Sequence, residues 1–217
     1  MDCIIFDLSI LFWKKRWTKQ RVVKNLLLKI NFIVCLIFLF SYSTLMANEE
    51  AAYNVVQKND IYEIRYYSDR LIVQVENNVN DNSFRKLFNY ISGENKKSEK
   101  IAMTIPVTQS KKDDQMFMQF YLPSKFNKET TPIPNNPDLE ITTIPKGYFA
   151  VIKFSGRSSD KNFDKHNKIL KQKLLEDNIS IKGFAIRATY NSPFTLPPLR
   201  RNESMFSIVW KNNWKLK

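Results

Sequence analysis

Histidine, glycine and cysteine are all scarce in this chain of 217 residues, which has one His, four Gly and two Cys. Both cysteines, Cys3 and Cys35, fall in the first 47 residues. Residues 48–217 therefore have no thiol for a disulfide framework, a cysteine-based metal site or a nucleophile. The sequences G-x-G-x-x-G, G-x-S-x-G, H-E-x-x-H and the P-loop are missing too, so no nucleotide-dependent or hydrolytic motif is visible. Acidic residues are the minority, 21 against 34 Lys and Arg, for a formal charge of +13. Seven basic and two acidic residues give 1–47 a net +5, which leaves +8 for 48–217. The bases of 48–217 are scattered among acids and match no DNA-reading motif. A basic solvated surface is the plain reading, and its field favours anionic ligands, carboxylates among them. Aromatics are plentiful at 13%, with sixteen Phe and nine Tyr, and the chain is 43% apolar. That suffices for one ordinary domain with a sizeable core plus a targeting segment.

The targeting segment is residues 1–47. An unbroken apolar run spans 32–40, basic residues precede it, Glu49 and Glu50 follow it, and Ala47 offers a small residue for cleavage. This is the layout of a secretory signal peptide. An uncleaved anchor over 26–46 is the alternative, although a spanning helix needs roughly 20 apolar residues. With the basic side retained inside, either outcome exports the domain. Residues 1–23 are longer than a leader needs, as a start codon placed too early would make them.

Beyond residue 50 the same order of elements is read twice. Segments 62–67 and 71–75 alternate or run in aromatic and β-branched residues and predict strands. A helix is expected over 83–91, capped by Asp81 or Asn82 and ended by Gly93, with Phe84, Leu87, Phe88 and Ile91 on one stripe. Strands over 101–107 and 116–122 follow. Residues 123–138, rich in Pro, Asn and Thr, form a loop. The second round has strands at 139–144 and 148–154, a helix from a cap at Asp160 or Asn162 to about 177, and strands at 183–190 and 205–210. Two such halves bury their apolar faces by joining into one antiparallel sheet covered by helices, an α+β fold.

Four stretches carry a resemblance. They are Tyr62-Glu63-Ile64-Arg65-Tyr66-Tyr67, residues 84–95 ending Tyr90-Ile91-Ser92-Gly93-Glu94-Asn95, Ile101-Ala102-Met103-Thr104-Ile105-Pro106-Val107, and residues 190–203 ending Arg200-Arg201-Asn202-Glu203. In that order, over about 53–211, they resemble the SOUL haem-binding family. The resemblance implies a twofold strand-helix-strand-strand repeat forming an eight-stranded antiparallel distorted barrel flanked by two helices. It also implies a tetrapyrrole held in an apolar pocket bordered by the first helix.

A haem site wants an apolar slot with basic groups at its mouth. Phe84, Leu87, Phe88 and Ile91 form that slot or simply pack the helix on the sheet. Arg85 and Lys86 pair with propionates or are solvated. Met103 is a soft axial ligand or a core methionine. His166, on the apolar stripe of the second helix with Phe163, Leu170 and Leu174, reaches iron or is a hydrogen-bonded core histidine. Haem attachment is expected to be weak or without an axial protein ligand. Arg200-Arg201-Asn202-Glu203 reads as an ion-paired corner before the last strand, or as part of an active site.

The expected function is an exported, periplasmic or otherwise extracytoplasmic, non-catalytic carrier or buffer of haem or a related tetrapyrrole. It acts as a monomer, without nucleic acid, and meets the membrane only through 1–47 where that segment stays uncleaved. The alternatives are a domain for another amphiphile, since fold does not fix ligand, and a hydrolase with Glu203 or Glu63 as base beside Tyr190 or Tyr62.

Overall fold

The computed structural model describes residues 48–76, 82–112 and 115–210, with residue 31 alone before them. The chain divides into two compact units, Met1–Ala47 and Asn48–Lys217. The expected leader or anchor, both cysteines and the Asp81 cap lie outside the described residues. Among the described residues no helix is long and apolar enough to cross a membrane.

In the second unit the chain runs β1 (Glu49–Glu50), β2 (Asn54–Lys58), β3 (Glu63–Tyr67), β4 (Arg70–Glu76), α1 (Ser83–Ile91), β5 (Thr104–Ile105), β6 (Val107–Lys112) and β7 (Gln115–Tyr121). It continues through β8 (Glu140–Ile144), β9 (Gly147–Phe154), α2 (Asp160–Glu176), β10 (Ser180–Thr189), a single 3-10 turn (Pro197–Leu199) and β11 (Asn202–Val209). The strand expected at 101–107 is two strands, β5 and β6, on either side of Pro106. The cap of α2 is Ser159, whose side chain accepts the Asn162 N–H, and not Asp160 or Asn162. Gly93, at φ +119°, ends α1 in a conformation few other residues adopt.

Nine strands form one antiparallel sheet in the order β2-β3-β9-β11-β10-β6-β7-β4-β8, and β1 pairs in parallel with β5 apart from it. Exchanging β3 with β8, β9 with β4, β11 with β7 and β10 with β6 reverses this order onto itself, so eight of the nine strands obey a twofold repeat. The dyad passes between β10 and β6, where Ala188 faces Thr108. Each half lends its first strand to the other: β3 pairs with β9, and β8 with β4.

Only Ser68 and Asp69 separate β3 from β4, and only Pro145 and Lys146 separate β8 from β9. Three peptide steps reach about 10 Å, so the two ends of the sheet must lie close together. The Asp69 carboxylate accepts the Lys146 N–H at 2.6 Å and ties the two links. The sheet is thus curled, but among the described residues no ladder joins its end strands. The expected eight-stranded distorted barrel is, among the described residues, a nine-stranded sheet that no ladder closes.

Strand alternation divides the core between two faces. On the outer face of the first half, α1 packs on β4 and β7 through Val73, Val75, Leu87, Tyr90, Ile91 and Phe120. On that of the second half, α2 packs on β9, β10 and β11 through Ile64, Ala150, Ile152, Leu170, Leu174 and Phe206. The inner face holds Tyr67, Phe149, Val151, Ala188, Tyr190 and Met205. Buried charge also collects there.

Candidate functional site

The first-helix stripe divides in two. Leu87 and Ile91 are buried in the core, together with Ser83 and Tyr90. At 100° per residue these four face the sheet, and Phe84 and Phe88 fall on the flank. Phe84 is 49% and Phe88 48% exposed. Their rings are parallel within 12°, with centroids 6.2 Å apart, and Phe84 meets Phe120 edge-on at 5.3 Å. Arg85 beside them is exposed, and Lys86 is paired with Asp138 at 3.0 Å. Met103 is partly buried against the α1 core. The expected slot is therefore a core ridge plus an outward aromatic platform. Tyr90 lies off the predicted stripe, and its hydroxyl donates to the Pro132 carbonyl at 2.8 Å. Burial, and then the charge of Glu99, push its pKa up to about 12.

His166 stands apart from this group. It lies on α2, which packs on β9, β10 and β11, whereas α1 packs on β4 and β7. Its ring stacks on Phe154 with centroids 3.8 Å apart and planes 3° apart. A carbonyl can only accept, so Nδ1–H donates to the Asn162 carbonyl at 2.7 Å. That bond places the lone pair of the neutral ring on Nε2. Among the described residues no group of three or more His, Cys, Asp or Glu stands ready to hold a metal ion.

Buried charge is concentrated on the inner face. Arg65 and Glu203 are both wholly buried and pair through two hydrogen bonds, 2.8 and 3.1 Å. Glu203 also accepts from Arg201 Nε at 2.9 Å and from the Tyr190 hydroxyl at 2.7 Å. A carboxylate has about four acceptor positions, and all four are taken. Arg201 continues to Glu50 at 2.8 and 3.0 Å, and Arg65 to Glu63 at 2.7 and 2.9 Å. Lys58 completes an alternating chain of six charges at the Glu63 end, 3.0 Å away. Burial alone would raise the pKa of Glu203, but Arg65 and the other donors hold it below the usual carboxylate range. Burial and the adjacent Glu203 charge raise that of Tyr190 far above the ordinary phenol value. Arg200 is separate, donating to the carbonyls of Thr195 and Pro193. The ion-paired corner is thus built from Arg201 and Glu203, with Arg65 as a partner 138 residues away that no local motif reveals.

The dyad gives this chain a neutral counterpart. Gln119 faces Thr108 as Glu203 faces Ala188. Thr108 donates to Gln119 at 3.0 Å, Gln119 to Gln74 at 3.1 Å, and Gln74 to Glu140 at 2.8 Å.

Among the described residues, one buried cation has no such partner. Arg70, at the start of β4, is 8% exposed, and its guanidinium carbon lies 4.1 Å from the ring centre of Tyr67 and 4.7 Å from that of Phe149. Its Nε and Nη2 are buried and make no hydrogen bond. The residue borders a cavity of about 650 Å³ whose walls include Leu71, Tyr121, Leu122 and Phe126.

An antiparallel sheet of two interlocked halves, each backed by one helix around a buried polar centre, defines an α+β domain of repeated type. Residues 48–207 match the SOUL heme-binding protein family, and the chain belongs to it. No curated protein matches the chain. Among solved structures, the EcmrR C-terminal domain aligns with a TM-score of 0.51 at 10% identity, over 72% of this chain and 98% of that one. EcmrR in a DNA complex aligns at 0.51 and 11%, over 91% and 70%. A hydrolase from Listeria innocua aligns at 0.50 and 9%, over 71% and 94%. At such identities the likeness is one of fold alone.

Proposed function

We propose that this chain is an exported, non-catalytic binding protein for haem or a related tetrapyrrole, which lies on the outer face of α1. Membership of the family supports haem as the ligand class. The observation that carries the site is the pair of parallel, half-exposed rings of Phe84 and Phe88. A flat macrocycle can stack on a near-parallel, half-exposed aromatic ring, and the exposed Arg85 guanidinium beside the pair suits a propionate. A haem bound there would present a flat apolar plate to the helix. The protein's part is to hold it and cover one face. Met103, packed under the same helix, is the nearest soft donor in the sequence motif. His166, backed by Phe154 on the other helix, is left out of this site.

The non-catalytic reading rests on Glu203. Its acceptor positions are filled by Arg65, Arg201 and Tyr190, so no lone pair is left to take a substrate proton. The export reading rests on the basic, apolar layout of residues 1–47.

Titration of the full-length protein with hemin, followed by its Soret band, tests the proposal. Saturable one-to-one binding is expected, unchanged in His166→Ala and weakened at least tenfold in Phe84→Ala/Phe88→Ala. Binding no tighter than to an unrelated basic protein would refute it. Residues 1–47 fused to a reporter active only outside the cytoplasm should give activity; an inactive fusion removes export.

A further inference from the structure

We infer that the cavity at the open seam is a separate binding site for the carboxylate end of a small apolar molecule, with Arg70 as its anchor. Every other buried charge of the inner face among the described residues is paired. Arg65 meets Glu203 and Glu63, and Arg201 meets Glu203 and Glu50. Arg70 has aromatic rings at its guanidinium and, among the described residues, no acceptor for its buried Nε and Nη2. A charge taken out of water without a hydrogen-bonded partner is destabilising, and aromatic faces return only part of that cost. Such a group is retained where something arriving from outside completes it.

The surroundings define what arrives. Arg70 borders a space of about 650 Å³, within the range of small-molecule sites. Leu71, Leu122, Phe126 and the Tyr121 ring give it apolar walls. A guanidinium offers a planar fork that matches a carboxylate. Three acids also border the cavity, Glu49, Glu50 and Asp69. Glu50 is neutralised by Arg201, Glu49 accepts the Ser124 N–H at 2.8 Å, and Asp69 accepts the Lys146 N–H. None of them reaches Arg70. Glu49 and Asp69 are exposed, so their repulsion is screened by solvent and salt, whereas Arg70 is buried. The curled sheet leaves this place accessible because no ladder closes the seam beside Ser68 and Asp69.

Octanoate, 1-octanol and octylammonium share one tail and differ in the head group. Calorimetric titration of each into the full-length protein should rank octanoate first by about ten- to hundredfold, the range of a charge-assisted hydrogen bond. Arg70→Met should remove that preference while leaving 1-octanol unchanged. It should also keep or raise Tm, because the unpaired buried charge is gone. Arg70→Lys, which keeps the charge and loses the fork, should fall between. Equal affinities for the three probes, or octanoate bound as tightly by Arg70→Met, would overturn the inference. The three-probe ranking needs no variant, so it decides even if Arg70→Met fails to fold. Hemin titration of the same samples reads the α1 platform separately: loss of hemin binding with octanoate ranked first sinks only the tetrapyrrole reading, and the reverse sinks only this one.

Discussion

Glu203 and Arg70 lie on the same inner face and meet opposite fates. The carboxylate has all its acceptor positions filled, and the guanidinium has none of its buried donors engaged. Removing one member of a buried pair leaves the other uncompensated, at about 3–5 kcal/mol, whereas replacing both by apolar residues is often neutral or better. Glu203→Gln should therefore lower the urea midpoint sharply, and Arg65→Met/Glu203→Leu should recover most of the loss. The folded pKa of Glu203 lies below its unfolded value, so its contribution is complete above the ordinary carboxylate pKa and fades as pH falls through the folded one. Thermal melts from pH 7 down to pH 3 should show Tm dropping at the acid end, and less steeply in the double variant. Arg201-Asn202-Glu203 was visible in the sequence as a charged corner. Arg65 was visible only as part of a strand, because nothing local links residues so far apart. Arg70 gave no signal at all: an arginine at a strand start reads as solvated until its neighbours are known.

At the scale of the element, α1 shows what periodicity conveys and what it omits. The spacing of Phe84, Leu87, Phe88 and Ile91 located the helix, yet only Leu87 and Ile91 reached the core. The sheet lies toward Ser83 and Tyr90, a direction that one strip of apolar residues does not specify. Leu87→Ala should cost about 2–5 kcal/mol by leaving a cavity, whereas Phe84→Ala, half in water already, should cost less than about 1.5 kcal/mol. Chemical denaturation of the two variants checks this contrast. Equal losses would mean that Phe84 is a core residue and the platform is not one. Edge strand β2 escaped the sequence reading because four of its five residues are exposed, so it lacks the alternation that marks a half-buried strand. The α2 cap was misplaced by one or three residues: Ser159, Asp160 and Asn162 are all good caps, and only the backbone decides among them.

For the molecule as a whole, the doubled order of strands and helices was legible, and so was the α+β class. The partnering of strands was not. Two-residue links at 68–69 and 145–146 are short enough for hairpins, yet β3 pairs with β9 and β8 with β4, so the chain crosses the seam where a hairpin was the simpler expectation. Pairing is decided by which apolar faces two helices can cover together, a property of the assembled halves. The ninth strand and the open seam follow from the same cause, since the ends of the curled sheet meet through links and side chains.

The exchange of first strands has a consequence for how the protein can be divided. A cut in the proline-rich loop near residue 128 leaves β3 on one fragment and its ladder partner β9 on the other, and likewise β4 and β8. Neither piece holds a complete set of neighbours, so each alone should be unstructured by circular dichroism, and mixing them should restore the native spectrum at one-to-one stoichiometry. A single half-gene would then yield a product that becomes whole only beside the other half.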